Sequence, residues 1–314
     1  MPVSDTTLVM GAAHQLELSE KTSKEYVELL DKLKDMPTLP VIAMRVSELI
    51  NDPNATSGQI AQVLKQDQVL TAKILRLVNS SYYAVPGGVT DVQKALAFLG
   101  FNTVAQLVLS LSVFSMFTKF GDDEISMKDF WMHSICVGVC SENIAKKIKG
   151  VKPEEAFTCG LLHDIGKLVL HRINPERLRQ TLIEARELKT GFIDIERKHD
   201  WLTHAYIGEM MAERWGLPAI VRFAIRYHHS DIRHSETLLA HEKKLIQVVN
   251  LANRVVVKGK YGKSGDCSTP QITDISTIDQ LLLPLGLSMD DVSDLTSQME
   301  LASQKAGVFL NASG

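Results

Sequence analysis

The sequence offers no cysteine pair at the spacing of a zinc knuckle, no uninterrupted apolar run of membrane-spanning length and no excess of positive charge. Each absence excludes something. The four cysteines are Cys136, Cys140, Cys159 and Cys267; the first two stand one helical turn apart, which is not CxxC spacing. Buried, reduced thiols and a cytoplasmic location are therefore expected. The longest apolar run, Val104 to Phe117, is interrupted by Gln106, Ser110, Ser112 and Ser115, and falls short of the roughly 18–20 residues of a membrane span. It reads as a buried helix, so no membrane partner is expected. Met1-Pro2-Val3-Ser4-Asp5 lacks the basic stretch and apolar core of a signal peptide. The 34 basic and 37 acidic residues give a net charge of −3 with histidines neutral, which argues against nucleic acid as a partner while leaving local patches open.

What is present is an ordered globular composition: 314 residues, 45% hydrophobic and 23% charged, enough for one large domain or two ordinary ones. Helical periodicity dominates and no convincing alternating strand pattern interrupts it, so the fold class is all-α. Polar residues 1–25 read as a lead segment. An N-terminal helical lobe over 26–125 follows, with helix signals after Leu39-Pro40, after the caps Ser57 and Asp67, and from Thr90 or Asp91 to Leu99-Gly100. Lys119 to Glu124 is a polar joint. A second lobe over 126–258 opens with a helix from about Asp129 to Lys149. Its successor starts at Pro153 and breaks near Gly166. Further helices are expected over 175–189, 194–214, 218–229 and 238–257. In the last part, 259–314, Gly259 to Pro270 reads as an exposed flexible loop, followed by helices over 276–284 and 289–309.

The chemistry-bearing residues are histidines in unusual places among the ten in the chain. His133 lies in an apolar helix, His163-Asp164 closes another, His204 stands early in a third, and His228-His229 ends the helix that Pro218 opens. Imidazole nitrogen with carboxylate oxygen suits zinc, iron, manganese or nickel. With open coordination positions, such a metal lowers the pKa of bound water and supports hydrolysis. Lys167, three residues past Asp164, can hold a phosphate oxygen as a point charge. Taken singly, each residue also has a plain role. His133 suits a hydrogen-bonded core, His228-His229 a polar helix end, Lys167 a solvated surface. His14, His171, His199, His234 and His241 read as surface or structural positions.

The ordered series His133, His163-Asp164, His204, His228-His229 resembles the HD superfamily of metal-dependent phosphohydrolases. More of the chain, about residues 35–255, is similar to the HD-related output domain (HDOD) family. The first lobe carries the likeness in Leu39-Pro40-Val41, in Ile60 to Asp67, and in Thr71 to Tyr83. The second carries it in Trp131-Met132-His133-Ser134, His204 to Gly208, Trp215-Gly216-Leu217-Pro218 and Ile225 to His229. The resemblance implies a multi-helical HD-like fold, with an N-terminal helical lobe packed on an HD-type lobe. It also implies a place in bacterial signal transduction. By motif, His133, His163 and Asp164 match the first metal ligands of the HD pattern, and His204, His228 and His229 match histidines serving a second metal in HD-GYP phosphodiesterases. Two departures stand out. Asn253 follows Ala252 where the HD pattern ends on an aspartate, so a ligand there brings no charge. No Gly-Tyr-Pro follows His228-His229, which removes the signature for cyclic-di-GMP cleavage.

The expectations are therefore one or two divalent ions (Fe, Mn, Zn or Ni) held by His133, His163, Asp164, His204, His228, His229 and Asn253, with Asp164 and Lys167 as the catalytic pair if the site is active. The favoured function is a signalling output or interaction module with a protein partner. The alternatives are a metal-dependent phosphohydrolase acting on a nucleotide or other phosphate ester, and a sensor that binds a nucleotide or phosphate ligand without hydrolysis.

Overall fold

In the computed structural model, residues 20–80, 83, 85–117, 126–267 and 281–313 are described. The polar joint at 119–124 and most of the expected helix over 276–284 lie outside them. The described residues are helices and their connections.

The first lobe is built from α2 (Val41–Asn51), α3 (Ser57–Leu64), α4 (Gln68–Val78) and α5 (Val92–Met116). Its local signals are those of the sequence. Thr56, one residue before the expected cap, and Gln59 form a reciprocal capping box, and the Asp67 side chain accepts from the Leu70 amide, each satisfying a donor that the first helical turn leaves bare. Gly100, at φ +83, splits α5 into two stretches with different directions. Helices α2, α3 and α4 pack on α5, whose buried second half includes the run from Val104 to Phe114. By length and composition α5 could cross a membrane, but 61% of its most apolar window is buried within the protein.

The second lobe centres on α6 (Met127–Lys147) and α7 (Pro153–Leu162), which pack on each other, followed by α8 (Ile165–Ile173), α9 (Pro175–Leu188), α10 (Phe192–Lys198), α11 (His204–Arg214), α12 (Ala219–Tyr227) and α13 (Ala240–Gly259). The final helix, α14 (Met289–Ser313), lies against α6, α13 and α4. The first described helix, α1 (Glu20–Lys34), packs on α8, and its Glu25 pairs with Arg177 of α9. The α11–α12 elbow meets the first lobe: Ser47 donates to the Gly216 carbonyl at 2.7 Å and Trp215 Nε1 to the Pro37 carbonyl at 3.0 Å. Apolar residues of both lobes form one continuous buried core.

Three local expectations are corrected. The stretch 194–214 is two helices, α10 and α11, separated by His199 to Thr203, because Thr203 caps a new start by accepting from the Tyr206 amide. The break after α7 falls at His163-Asp164, and Gly166 lies inside α8. Cys267 is exposed, whereas Cys136, Cys140 and Cys159 are buried.

Candidate metal centre

Each donor reaches the centre by the way its helix begins or ends. His163 is the C-cap of α7 and Asp164 the N-cap of α8, so two helices meeting at an angle present adjacent side chains to one interior point. Gly166 makes that meeting possible. A Cβ there would stand 1.8 Å from the His204 carbonyl oxygen, so any other residue would push α8 off the start of α11. His204 opens α11, His228 caps the end of α12 with His229 beside it, and His133 lies in the buried face of α6.

The side chains converge on Asp164. Its Oδ2 is 3.4 Å from His163 Nε2 and 4.0 Å from His133 Nε2. Its Oδ1 is 3.2 Å from His204 Nε2 and 3.5 Å from His228 Nε2. Two groups of donor atoms result, each lying within 4.8 Å of one another: His133, His163 and Asp164; and Asp164, His204, His228 and His229. Asp164 is common to both, one oxygen toward each. His133, His163, Asp164, His204 and His228 are 0–1% exposed.

Tautomers follow from the atoms opposite. His163 Nδ1 is 2.7 Å from the Gly160 carbonyl, His228 Nδ1 2.8 Å from the Ile225 carbonyl, and His204 Nδ1 2.7 Å from Glu196 Oε2. Those oxygens can only accept, so each Nδ1 carries a proton and, in the neutral ring, each Nε2 presents a bare lone pair. The Nε2 atoms of all five histidines, Asp164 Oδ1 and Asn253 Oδ1 are buried without a hydrogen-bond partner in the protein. Lone pairs facing a carboxylate at 3.2–3.5 Å repel unless a cation lies between them. Two donors bound about 2.1 Å from one ion, at angles of about 90–109°, stand about 3.0–3.4 Å apart. The residues present thus fit a divalent metal.

Electrostatics prepares the same state. Burial, reinforced by His163, pushes the His133 pKa down to about 3. Burial likewise lowers that of His228 to about 4 and holds that of His229 well below its ordinary value. These rings stay neutral and able to ligate. His204 is the exception: burial works against its charge, but the Glu196 carboxylate and a hydrogen bond to Asp164 outweigh it and raise that pKa, so without metal a proton on Nε2 serves as the cation facing Asp164 Oδ1. Burial opposes ionisation of Asp164 too; Lys167 and His163 overcome it and keep the carboxyl well below the usual range.

Two residues complete the centre that were not among the expected donors. Glu196 is fully buried; its Oε1 accepts from the His204 amide and its Oε2 from His204 Nδ1. It stands eight residues before His204, which in one continuous helix would place it about 12 Å away along the axis. The break at 199–203 folds it back, and Thr203, a helix-starting residue, was the available signal. Asp266 comes from the segment after α13, read from the sequence as an exposed loop. Described to Cys267, that segment is pinned: the Lys263 amide donates to the Asp129 carbonyl and the Cys267 amide to the Thr190 carbonyl. Asp266 accepts from Lys167 Nζ at 2.9 Å, with its side chain 3% exposed. No sequence signal marks it.

Lys167 differs from its sequence reading. It is 1% exposed, donates to Asp164 Oδ2 at 2.8 Å as well as to Asp266, and lies 4.9 Å from the Phe192 ring centroid. Engaged by two carboxylates, its ammonium is not free to hold a phosphate in this conformation. Asn253 is 3% exposed on α13, which packs on α6, α7 and α12, the helices carrying His133, His163 and His228.

With known proteins the chain shares the following. The profile of the HDOD domain family matches residues 36–231. An uncharacterised protein of Treponema pallidum (strain Nichols) is 27% identical over 250 residues, 79% of this chain and 47% of that protein. The chain thus spans about half the length of that relative. Among solved structures, an HDOD domain protein of unknown function from Geobacter sulfurreducens superposes with a TM-score of 0.75 at 21% identity, covering 91% of this chain and 97% of the other. A phosphohydrolase candidate from Shewanella amazonensis SB2B gives 0.68 at 24% identity, covering 90% and 98%. At these identities the likeness shows the fold.

Proposed function

This chain belongs to the HDOD domain family, and on that premise we propose that it is a signal-transduction output or interaction module built around a retained divalent-metal centre. One observation carries the reading: the unpartnered Nε2 atoms of His163 and His228 face the two oxygens of a single buried aspartate. A purely structural cluster would place a proton in each such contact, since unsatisfied buried polar atoms are costly. His133, His163 and Asp164 would hold one ion, and Asp164, His204, His228 and His229 a second. Glu196 and the Gly160 and Ile225 carbonyls would orient the rings from behind, as outer partners do in metal sites. Closure favours a sensing or structural use. A cleft of about 190 Å3 beside Ser230, Gln247 and Asn250 reaches His229, while the inner donors are sealed. The test is metal analysis of purified protein beside the Asp164→Ala variant. One or two equivalents of transition metal in the wild type and none in the variant is the expected result; no metal in either would end the proposal.

A metal-dependent phosphohydrolase is the second reading. Its support is Asp164 turning one oxygen toward each histidine group, an arrangement suited to two ions flanking one water or phosphate oxygen, together with the phosphohydrolase name of the Shewanella structure. A bound ion would supply a hydroxide nucleophile at neutral pH. The neutral amide of Asn253 weighs against it, adding no charge for water activation. Turnover of nucleotides or other phosphate esters with added manganese or iron, abolished in Asp164→Ala, would put this reading first.

A further inference from the structure

Asp266 reaches the centre from outside residues 36–231, the part matched by the family profile. It rides on a strap, residues 260–267, that leaves the end of α13 and crosses the start of α6. Gly262, at φ +73, lies so close to that helix that a Cβ would stand 2.3 Å from the His133 amide nitrogen. The strap ends with the Cys267 amide on the Thr190 carbonyl, just before α10.

The carboxylate is received as a ligand would be. Asp266 Oδ2 accepts from Lys167 Nζ at 2.9 Å and from Ser264 Oγ at 3.2 Å, and Oδ1 accepts from the Phe192 amide at 2.8 Å. Ser264 belongs to the strap and braces it; Lys167 and Phe192 belong to the domain. Lys167 also donates to Asp164 Oδ2, so the received carboxylate is one ammonium away from the aspartate shared by the two donor groups. A buried ammonium and a backbone N–H that each bind one oxygen of the same carboxylate make an oxyanion pocket. The strap fills it with the Asp266 carboxylate.

We propose that Lys167 Nζ and the Phe192 N–H form an oxyanion subsite of the metal centre, and that Asp266 occupies it as a built-in stand-in which a phosphate-bearing ligand must displace. The strap is then an autoinhibitory contact. With it closed, Lys167 divides its donors between Asp164 and Asp266; with it displaced, the donor given to Asp266 and the Phe192 N–H are free, and a phosphate held there lies beside the metal ions. The proposal rests on the metal-centre reading for the second half of that statement, and on the strap's own contacts for the first.

Inorganic phosphate is the probe. It is titrated calorimetrically into the full chain, loaded with Mn2+ and metal-free, as wild type and as Asp266→Asn, which keeps the side chain's shape and removes its charge. The variant should bind phosphate about tenfold more tightly, the equivalent of one charge-assisted hydrogen bond no longer competed for. In the wild type, saturating phosphate should speed hydrogen exchange of the Lys263 and Cys267 amides about tenfold, because their bonds to Asp129 and Thr190 hold the strap down. Equal phosphate affinity in the two proteins, or strap amides indifferent to bound phosphate, overturns the proposal. So does phosphate binding to neither. If Mn2+ is not taken up, the metal reading fails on its own, and the metal-free titrations still decide the strap. Should Asp266→Asn not fold, Ser264→Ala, which removes only the brace, should shift phosphate affinity in the same direction, and the wild-type exchange measurement needs no variant.

Discussion

Replacing Asp164 by asparagine separates the metal from the fold more cleanly than deleting the side chain. In the metal-free protein, Asp164 Oδ1 faces His204 Nε2 at 3.2 Å and the bare lone pair of His228 Nε2 at 3.5 Å, while Oδ2 accepts from Lys167 at 2.8 Å. The asparagine can keep its oxygen toward Lys167 and turn its amide nitrogen toward the two histidines. That creates up to two neutral hydrogen bonds, about 0.5–1.5 kcal/mol each, and weakens one charge-assisted bond of about 1.5–3 kcal/mol. The terms nearly cancel, so metal-free stability should move by no more than about 1–2 kcal/mol. The metal-dependent part should vanish, because the only anionic donor shared by both groups is gone. At free metal near 100 times its dissociation constant, the wild type gains about 2.7 kcal/mol, or about 5 °C in Tm for a chain of this size. Thermal unfolding with chelator and with Mn2+ checks both halves. Asp164→Asn that still gains 5 °C from metal would refute the assignment of the centre; a metal-free variant that loses far more than 2 kcal/mol would refute the lone-pair argument.

The remaining predictions concern the surroundings. Glu196→Gln puts a donor opposite His204 Nδ1, which frees that ring to adopt the other tautomer; metal affinity measured by competition with a chelator should fall about 10–100-fold with the fold intact. His133 and His228 have folded pKa values lowered to about 3 and about 4, so between pH 4 and 6.5 the unfolded chain binds protons there that the folded chain does not. By linkage these two groups make metal-free stability fall as pH drops through that window, and urea unfolding at pH 7 and pH 5 should show it. His204, with its pKa raised by Glu196 and Asp164, adds stability as pH falls toward 6.5, so it offsets only the first part of the loss between pH 7 and pH 5. Gly166→Ala should give no soluble folded protein, since its Cβ has no room against the His204 carbonyl. Expression beside the wild type with circular dichroism decides that.

Much of the fold could be read along the chain because helix signals are local. Thr56, Asp67, Asp91 and Ser126 cap α3, α4, α5 and α6 through their own side chains, and a cap acts over three residues whatever lies elsewhere. The centre's inner donors could be singled out too, because an imidazole on an apolar face and a His-Asp pair at a helix end are unusual whatever they do. By itself, then, the sequence determined an all-helical chain and which residues were worth bringing together.

The tertiary structure decided what stands behind and beside those donors. Glu196 is two turns from His204 along the sequence and became its partner only because the chain breaks between α10 and α11. Asp266 lies 99 residues from Lys167, in a stretch whose Ser-Gly-Asp composition is that of any surface loop. Its burial comes from Gly262 lying flat on α6, a fit that no periodicity encodes. Lys167 shows the physical reason most directly. Its sequence position says that a positive charge is near Asp164, but whether that charge meets solvent, a phosphate or a second carboxylate depends on what the fold lays over it. Here the fold lays Asp266.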